Sequence, residues 1–433
     1  LVLLSFLTIA WPSSWVPAPI SVGQAQTHDD VHKQFEPFVE YLNEFTERRR
    51  LKVYFNNEQS VFYGAQVGYV NVGRGNLTFV RRDLVTVGRL PLVVARIYDS
   101  SLDAGDDFGK GWHLSAAETI RLEPDGSVIL MSESATPVRS VASGDRFVQA
   151  KPCPTDILDL RQVDPGHFQV KLRTGYVKEY TLIGDLFRLT RVQDRNGNAV
   201  ILEYRDGKLA RLRGQNKRLV SIVRDQAGQI ISVKDDQGRQ VGYRYNESGQ
   251  LAEVTDLGGN QWRYEYDERG RMTRAIDPLR HVNLAPVYDE LGQVTELQSP
   301  GGVYRYRYEM IGWRTIVTDG NGYESVYVQD EDGITTAITN PLGVETGLVL
   351  DERNDVQKLY RNNALQAEMS YDSEGRLASL VKYDSVAPTP VSYVYDERGR
   401  LVRINSPDDR MALSYDDRGN LLERRNRDGV TRY

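Results

Sequence analysis

The residues best equipped for chemistry in this chain are tyrosines followed directly by an acid. Tyr266–Asp267, Tyr288–Asp289, Tyr371–Asp372, Tyr395–Asp396 and Tyr415–Asp416 each set a phenol beside a carboxylate. Such a pair suits acid–base work when a cleft shifts its pKa values. A catalytic pair occurs once per active site, however, and this one recurs along the second half of the chain. Recurrence marks a structural device, so no residue is assigned a catalytic, cofactor-binding or metal-binding role. Other candidates are weaker. Turns rich in Asp and Gly can hold Ca²⁺ where several oxygens converge, but here each turn offers one carboxylate and then Arg or Asn, and Arg271 and Arg400 would oppose a cation. His28 and His32 imitate a zinc pair with Asp29 between them, without a third ligand nearby. His113, His167 and His281 stand alone. Cys153, the one cysteine, lies between Pro152 and Pro154 and reads as an inert loop thiol; neither an internal disulfide nor a cysteine metal cluster is possible. GRGN at 73–76 and GKG at 109–111 lack the context of nucleotide-binding loops.

The elements that position these pairs repeat. Each Tyr-Asp turn closes on a glycine: Gly270, Gly292, Gly375, Gly399 and Gly419, with Tyr245, Asn246 and Gly249 forming a close variant. The full series runs Gly207, Gly228, Gly249, Gly270, Gly292, Gly312, Gly333, Asn354, Gly375, Gly399 and Gly419, at intervals of 20 to 24 residues. Asn354 fits the series, because Asn is the next residue after Gly to accept the left-handed conformation. Half a period away lies a second turn, as in DRNGN (194–198), DDQGR (235–239), DLGGN (256–260), DGNG (319–322) and NPLG (340–343). Asp or Asn starts such turns by bonding its own backbone, and Gly completes them. Two turns per ~21 residues leave two strands of about six or seven residues, which is hairpin geometry. VYRYRYE (303–309) alternates strictly and puts Tyr304, Tyr306 and Tyr308 on one face. In GQLAEVTD, Leu251 and Val254 are three apart, which implies a bulge or burial on both faces. The one long interval contains DSVAPTP (384–390), a lengthened hairpin loop. Of the 25 tyrosines, 18 lie in 201–433, so the aromatic face belongs to the repeats.

Composition agrees. At 433 residues the chain is several domains or a repeat array, and 40% hydrophobic with 26% charged residues is globular. A net charge of −6 argues against a nucleic-acid partner. The opening LVLLSFLTIAW suits the apolar core of a secretory signal, with a cleavage site near Ala25 and no charged residues before it. We therefore read 1–26 as the remnant of a signal peptide. Residues 27–60 are a helical segment, in which Val31, Phe35, Phe38, Val39, Leu42 and Phe45 have helical spacing and Pro37 sets a helix over about 37–49. Residues 61–187 form a β-rich introducing domain, and 188–433 are about eleven repeats.

The unit YDERGRL at 395–401, nearly repeated at 266–272, resembles the YD repeat of RHS proteins. The region before the repeats carries the same resemblance in VNVGRGNLTF (70–79), LPLVVARIYDS (90–100) and FGKGWHLS (108–115), through Tyr98, Ser100, Phe108, Gly109, Gly111 and Trp112. What the resemblance implies is an all-β fold: a YD-hairpin array that forms a spiralling, open β-sheet shell, preceded by a β-rich domain and a short N-terminal helix. It also implies a shell that encapsulates or presents a C-terminal effector or toxin, a cargo domain of its own or an export machinery as partner, and a secreted or cell-surface setting reached through the N-terminal signal. NPLG at 340–343 is a mid-array turn and not the cleavage motif of toxin-bearing members. The rival function is a surface adhesion or carbohydrate-binding protein, since rows of tyrosine flanked by Asp and Arg can stack on pyranose rings. Cell-surface glycans are its partners. Enzyme activity has no residue constellation in its favour, and no cofactor is called for.

Overall fold

The computed structural model describes residues 66–433 apart from 89, 104–106, 133–136, 151–156, 332, 354, 384–386, 408 and 418. The leader, the helix over 37–49, His28, His32, Cys153 and Asn354 lie outside the described residues.

The repeating element is an antiparallel hairpin. In one unit Gln261–Tyr266 pairs with Met272–Ile276, matching Arg263 to Ile276, Tyr264 to Ala275 and Glu265 to Arg274. The register then slips by one residue, so that Tyr266 meets Met272. The same slip falls just before Tyr245, Tyr288, Tyr371, Tyr395 and Tyr415. A β-bulge puts two residues of one strand opposite one of its partner and resets the alternation. It therefore lets Met272 and Ala275, three apart, both face inward and both be fully buried, as do Leu251 and Val254. The irregular spacing in GQLAEVTD is this bulge, repeated at every well-formed unit.

The hairpins join into one continuous antiparallel sheet that runs from Ile157–Asp164 to Gly429–Arg432. Its beginning is closed. Eight strands, from Thr119–Leu122 to Leu186–Gln193, form a ring because Phe187 and Arg188 pair with Ile120 and Thr119. Strand Leu186–Gln193 forks: its first half closes the ring, while Arg191, Val192 and Gln193 pair with Ile201, Val200 and Ala199 and launch the repeats. An eight-stranded ring is just wide enough to be filled by side chains, and Phe147, Phe168 and Phe187 stack through it at 5.6 and 4.7 Å. The spacing of the repeats gave no sign of this closure. The final strand, Gly429–Arg432, pairs with Leu421–Asn426, and all four of its residues are exposed.

A separate three-stranded sheet, Thr78–Val85, Val93–Asp99 and Trp112–Leu114, lies against the inward face of the repeats. Every residue of Val93–Asp99 is buried. A strand buried on both faces needs the continuous apolar run found in LPLVVARIY. The shared core joins this inner sheet to inward residues of the repeats as far as Val356, whereas Ala367, Leu380, Val391, Tyr393, Ile404 and Met411 form a second cluster.

The sheet also winds back on itself. The early hairpin turns at Arg173 and Arg195 meet the Tyr-Asp turns of much later repeats. The Arg173 guanidinium pairs with Asp355, Arg195 donates to the carbonyl of Gly399, and Lys171 reaches Glu374 at 3.5 Å. These contacts join residues 182 to 204 positions apart.

Candidate functional site

The Tyr-Asp turn is held together from within. Asp267 accepts hydrogen bonds from the amides of Arg269 (3.0 Å) and Arg271 (2.8 Å) through one carboxylate oxygen. Its other oxygen takes the Nε of Arg271 at 2.8 Å. Gly270, at φ +80°, completes the turn in a conformation that a β-carbon disfavours. Asp372 and Asp396 repeat the arrangement with Arg376 and Arg400. Asp289 and Asp416 accept the corresponding amides from Gln293 and Asn420. Burial pushes the Asp267 carboxyl upward, but the amide and guanidinium of Arg271 outweigh it and hold the group below the ordinary carboxylate range. Asp396 is lowered in the same way by Arg400.

The tyrosine and the arginine join one unit to the next. The phenol of Tyr266 donates to the carbonyl of Leu251 (2.7 Å), and Tyr245, Tyr288, Tyr371, Tyr395 and Tyr415 bond Ile230, Met272, Val356, Leu377 and Leu401 at 2.6 to 3.0 Å. Each acceptor sits two positions beyond the closing residue of the preceding turn. The guanidinium that caps one turn also lies over the tyrosine ring of the following unit: Arg271 over Tyr288 at 4.6 Å, Arg376 over Tyr395 at 4.8 Å and Arg400 over Tyr415 at 5.0 Å. A ladder results, in which Asp orients Arg, Arg covers the next Tyr, and that Tyr ties back to the previous strand. Burial raises the Tyr266 phenol well above its usual value and pushes Tyr395 up to about 12. Phenols that hold their protons and donate them to backbone carbonyls are poor acid–base groups, and the rings of Tyr288, Tyr395 and Tyr415 each have one face covered by a guanidinium. Arg at this position, which looked in the sequence like a bar to cation binding, is the inter-unit link.

The other singled-out residues converge on the same tyrosines from the inner sheet. Trp112 Nε1 donates to the Tyr266 hydroxyl at 2.8 Å, and the Tyr98 hydroxyl accepts the amide of Met272 at 2.7 Å. Ser100 Oγ accepts the amide of Leu77 at 2.9 Å, and Phe108 packs on Tyr243 at 4.9 Å between ring centres. Gly109 and Gly111 permit close approach. A β-carbon at Gly109 would stand 2.4 Å from the carbonyl oxygen of Gly249, and one at Gly111 would stand 2.7 Å from the Tyr98 ring. The structure therefore brings Tyr98, Phe108, Gly109, Gly111 and Trp112 to the units of Tyr245, Tyr266 and Tyr288. It leaves Tyr371, Tyr395 and Tyr415 apart from them.

Sequence reasoning missed the centre of this interface. Arg96, 2% exposed, pairs with Asp83 at 2.5 and 2.9 Å, and the Tyr243 hydroxyl donates to the same carboxylate at 2.7 Å. Its guanidinium lies 4.8 to 6.0 Å from the rings of Trp112, Tyr243, Tyr264 and Phe108. An arginine inside the apolar run LPLVVARIY was the available signal, since such a run buries both faces and its charge must be paired. The outer face is different. Arg213–Glu203, Arg244–Glu253, Arg274–Glu265 and Arg305–Glu296 pair across strands at 2.9 to 3.4 Å. A shallow cleft of about 400 Å³ opens between the turns at Asp351 and Asp372, lined by Arg353, Gln357, Met369 and Ser373. Among the described residues, no three His, Cys, Asp or Glu side chains group as metal ligands, and no helix is long and apolar enough to cross a membrane.

Family comparison agrees with this ladder. The RHS repeat model matches residues 224–261, 245–282 and 395–431, and a domain of unknown function, DUF6531, matches 68–139. The chain is an RHS/YD-repeat protein. No curated protein matches its sequence. Similar solved structures include the TcdB2-TccC3-Cdc42 complex (12% identity, TM-score 0.41, covering 81% of this chain and 23% of that one). The TcdB2-TccC3-TEV structure (10%, 0.40, 93% and 25%) and the Photorhabdus luminescens Tc holotoxin pore (12%, 0.39, 81% and 22%) are others. The chain spans about a quarter of the length of these chains.

Proposed function

We propose that this chain is a wall segment of an exported RHS-type shell, secreted or displayed at the cell surface, that encloses or presents an effector segment of the same protein. The reading rests on the winding contact. Arg173, Arg195 and Lys171 touch repeats about nine units later, so the sheet surrounds a volume instead of lying flat. Eighteen strands at ~4.8 Å give a circumference on the order of 90 Å and a width of ~30 Å between backbones. The inward face is apolar and the outward face is laced with Arg–Glu pairs, as suits a container whose contents must stay out of solvent. The chain's own part in this is mechanical, and its phenols and carboxylates serve the ladder. The test uses the full open reading frame: the intact protein is treated with protease, and any segment beyond residue 433 is followed by mass spectrometry. Such a segment should survive while the wall is intact and be degraded once Arg173→Ala and Arg195→Ala open the winding. Equal degradation in both proteins counts against containment.

The second reading, glycan binding at a cell surface, is favoured by a few exposed aromatics, Trp313 and Tyr323, at 50% and 61% exposure. A glycan array probed with the purified chain separates the two. Binding that is lost on Tyr323→Ala or Trp313→Ala selects this reading, and silence at millimolar sugar leaves the shell.

A further inference from the structure

Two adjacent turns on the rim of the Tyr-Asp turns break the rules that the others keep. Most tips are polar, as in Asp267-Glu268-Arg269-Gly270 and Asp396-Glu397-Arg398-Gly399. The turn at 289–292 instead carries Leu291, and the next, at 309–313, carries Met310, Ile311 and Trp313. These four side chains are 84%, 78%, 95% and 50% exposed. In the second turn Glu309 replaces the capping Asp and pairs with Arg307 at 3.6 Å. Trp313 stands where other units have the linking Arg, at φ +48°, a strained conformation for a bulky residue. Successive turns on one rim lie two strands, ~10 Å, apart, so the four residues make one apolar patch. Patches of this kind on an otherwise polar rim mark a docking surface, and local rules broken together point to function more than to error.

The geometry points to residues 31–49 of the same chain as the occupant. The described chain begins beside this rim. Gln66 pairs with Asn71, the Val67 carbonyl accepts the hydroxyl of Tyr306 at 2.9 Å, and the following loop reaches the rim where Gly75 accepts the amide of Val294 at 2.8 Å. Because Gln66–Val67 runs antiparallel to Val70–Asn71, which leads on to Gly75, Gln66 is the end of its strand nearer the Tyr-Asp turns. Sixteen residues, 50–65, lie between Arg49 and Gln66, a tether that can span up to ~55 Å. Within 31–49, Phe38, Val39, Leu42 and Phe45 recur at helical spacing and give one apolar side of matching character. Helix-in-groove docking of this kind reads as i, i+3, i+4, i+7 anchors, and Phe38, Leu42 and Phe45 fall on it. The segment thereby covers the rim and fixes the entry of the chain into the shell.

Photo-crosslinking tests this in the full chain. Ile311 is replaced by p-benzoylphenylalanine, a change an almost fully exposed loop position should tolerate, and the products are mapped by mass spectrometry at submicromolar protein. Intramolecular cross-links to residues 31–49 are expected, falling to background in the Phe38→Asp, Leu42→Asp, Phe45→Asp chain, which should also bind more of a hydrophobic dye. Cross-links only between two copies, cross-links elsewhere with none to 31–49, or a yield unmoved by the triple substitution would each overturn the proposal.

Discussion

Tyr264 and Tyr393 hold the same place in two units of one sheet, two residues before the Tyr-Asp tyrosine, yet they are buried by different means. Tyr264, 4% exposed, stacks edge-on against Trp112 at 5.1 Å and lies within 6 Å of Arg96, both from the inner sheet. Tyr393, 9% exposed, belongs to the second core cluster, made of its own neighbours Leu380, Val391, Ile404 and Met411. The residue opposite each tyrosine differs to match: Ala275 faces Tyr264, and Ile404 faces Tyr393. At Tyr264, where Trp112 fills the space, the facing residue is small, and at Tyr393, where the wall fills its own interior, it is larger; Tyr243, under Phe108, faces the intermediate Val254. The repeats thus share one turn chemistry but bury their inward faces in two ways.

The largest expected effect comes from breaking the inner sheet's charge pair. Asp83→Leu leaves Arg96 buried without its carboxylate and should destabilise the covered region by about 3–5 kcal/mol, whereas Asp83→Leu with Arg96→Met should recover much of the loss. Chemical denaturation measures the size, and amide exchange gives the place. Protection should fall at Gln240–Tyr245 and Gln261–Ile276 and hold at 391–411. Uniform loss across both regions would show that the two cores are one cooperative unit.

A smaller effect follows from exchanging the facing residues. Ala275→Ile forces extra methylenes into space already taken by the inner sheet and should cost about 1–3 kcal/mol. The converse trimming, Ile404→Val, should cost about 0.5–1.5 kcal/mol. The comparison fails if Ala275→Ile is accommodated at no cost, because the inner sheet then does not set the size of the wall residue.

These two substitutions also mark where the sequence stops being informative. The all-β class and its hairpin period follow from contacts within four residues: an acid that caps its own amides and a glycine at positive φ. Such local events leave a pattern that any one unit displays. The inner sheet's grip on the wall does not, because Trp112 and Tyr266 meet across 154 positions and Tyr98 and Met272 across 174. The ring closure at Phe187 and Ile120 is hidden for the same reason. The linking role of Arg271 lay between these extremes. The G-R step is visible in the repeat, but which ring the guanidinium covers depends on the next unit's register, and the bulge before each tyrosine sets that register.

The ladder itself should not distinguish the two regions. Arg271→Ala in a covered unit and Arg400→Ala in an uncovered one each remove a cation–π contact and a turn cap. Each should cost about 0.5–1 kcal/mol at these partly exposed sites. Matching shifts in thermal midpoint are expected. A cost confined to Arg271 would mean that the link depends on the inner sheet and is not intrinsic to the repeat.

The smallest effect is the most exacting test of that independence. Asp267 and Asp396 both have carboxyls held below their ordinary range, through the same Arg amide and guanidinium contacts, one beneath the inner sheet and one beyond it. A carboxyl whose folded pKa is depressed contributes stability that is fully present above the unfolded value of about 3.9, and it loses that contribution as pH falls through the folded value. Acid should therefore loosen the turns at Gly270 and Gly399 together below about pH 4, whatever covers them, while neutral and mildly alkaline solution leaves both intact. Amide exchange at the two glycines across this range is the measurement. Asp396→Asn, which keeps the shape and discards the charge, should remove the acid step at Gly399 and leave the one at Gly270. If the two glycines respond at clearly different pH in the native chain, then the inner sheet alters the turn's electrostatics. The division between a local ladder and a regional core would then have to be redrawn.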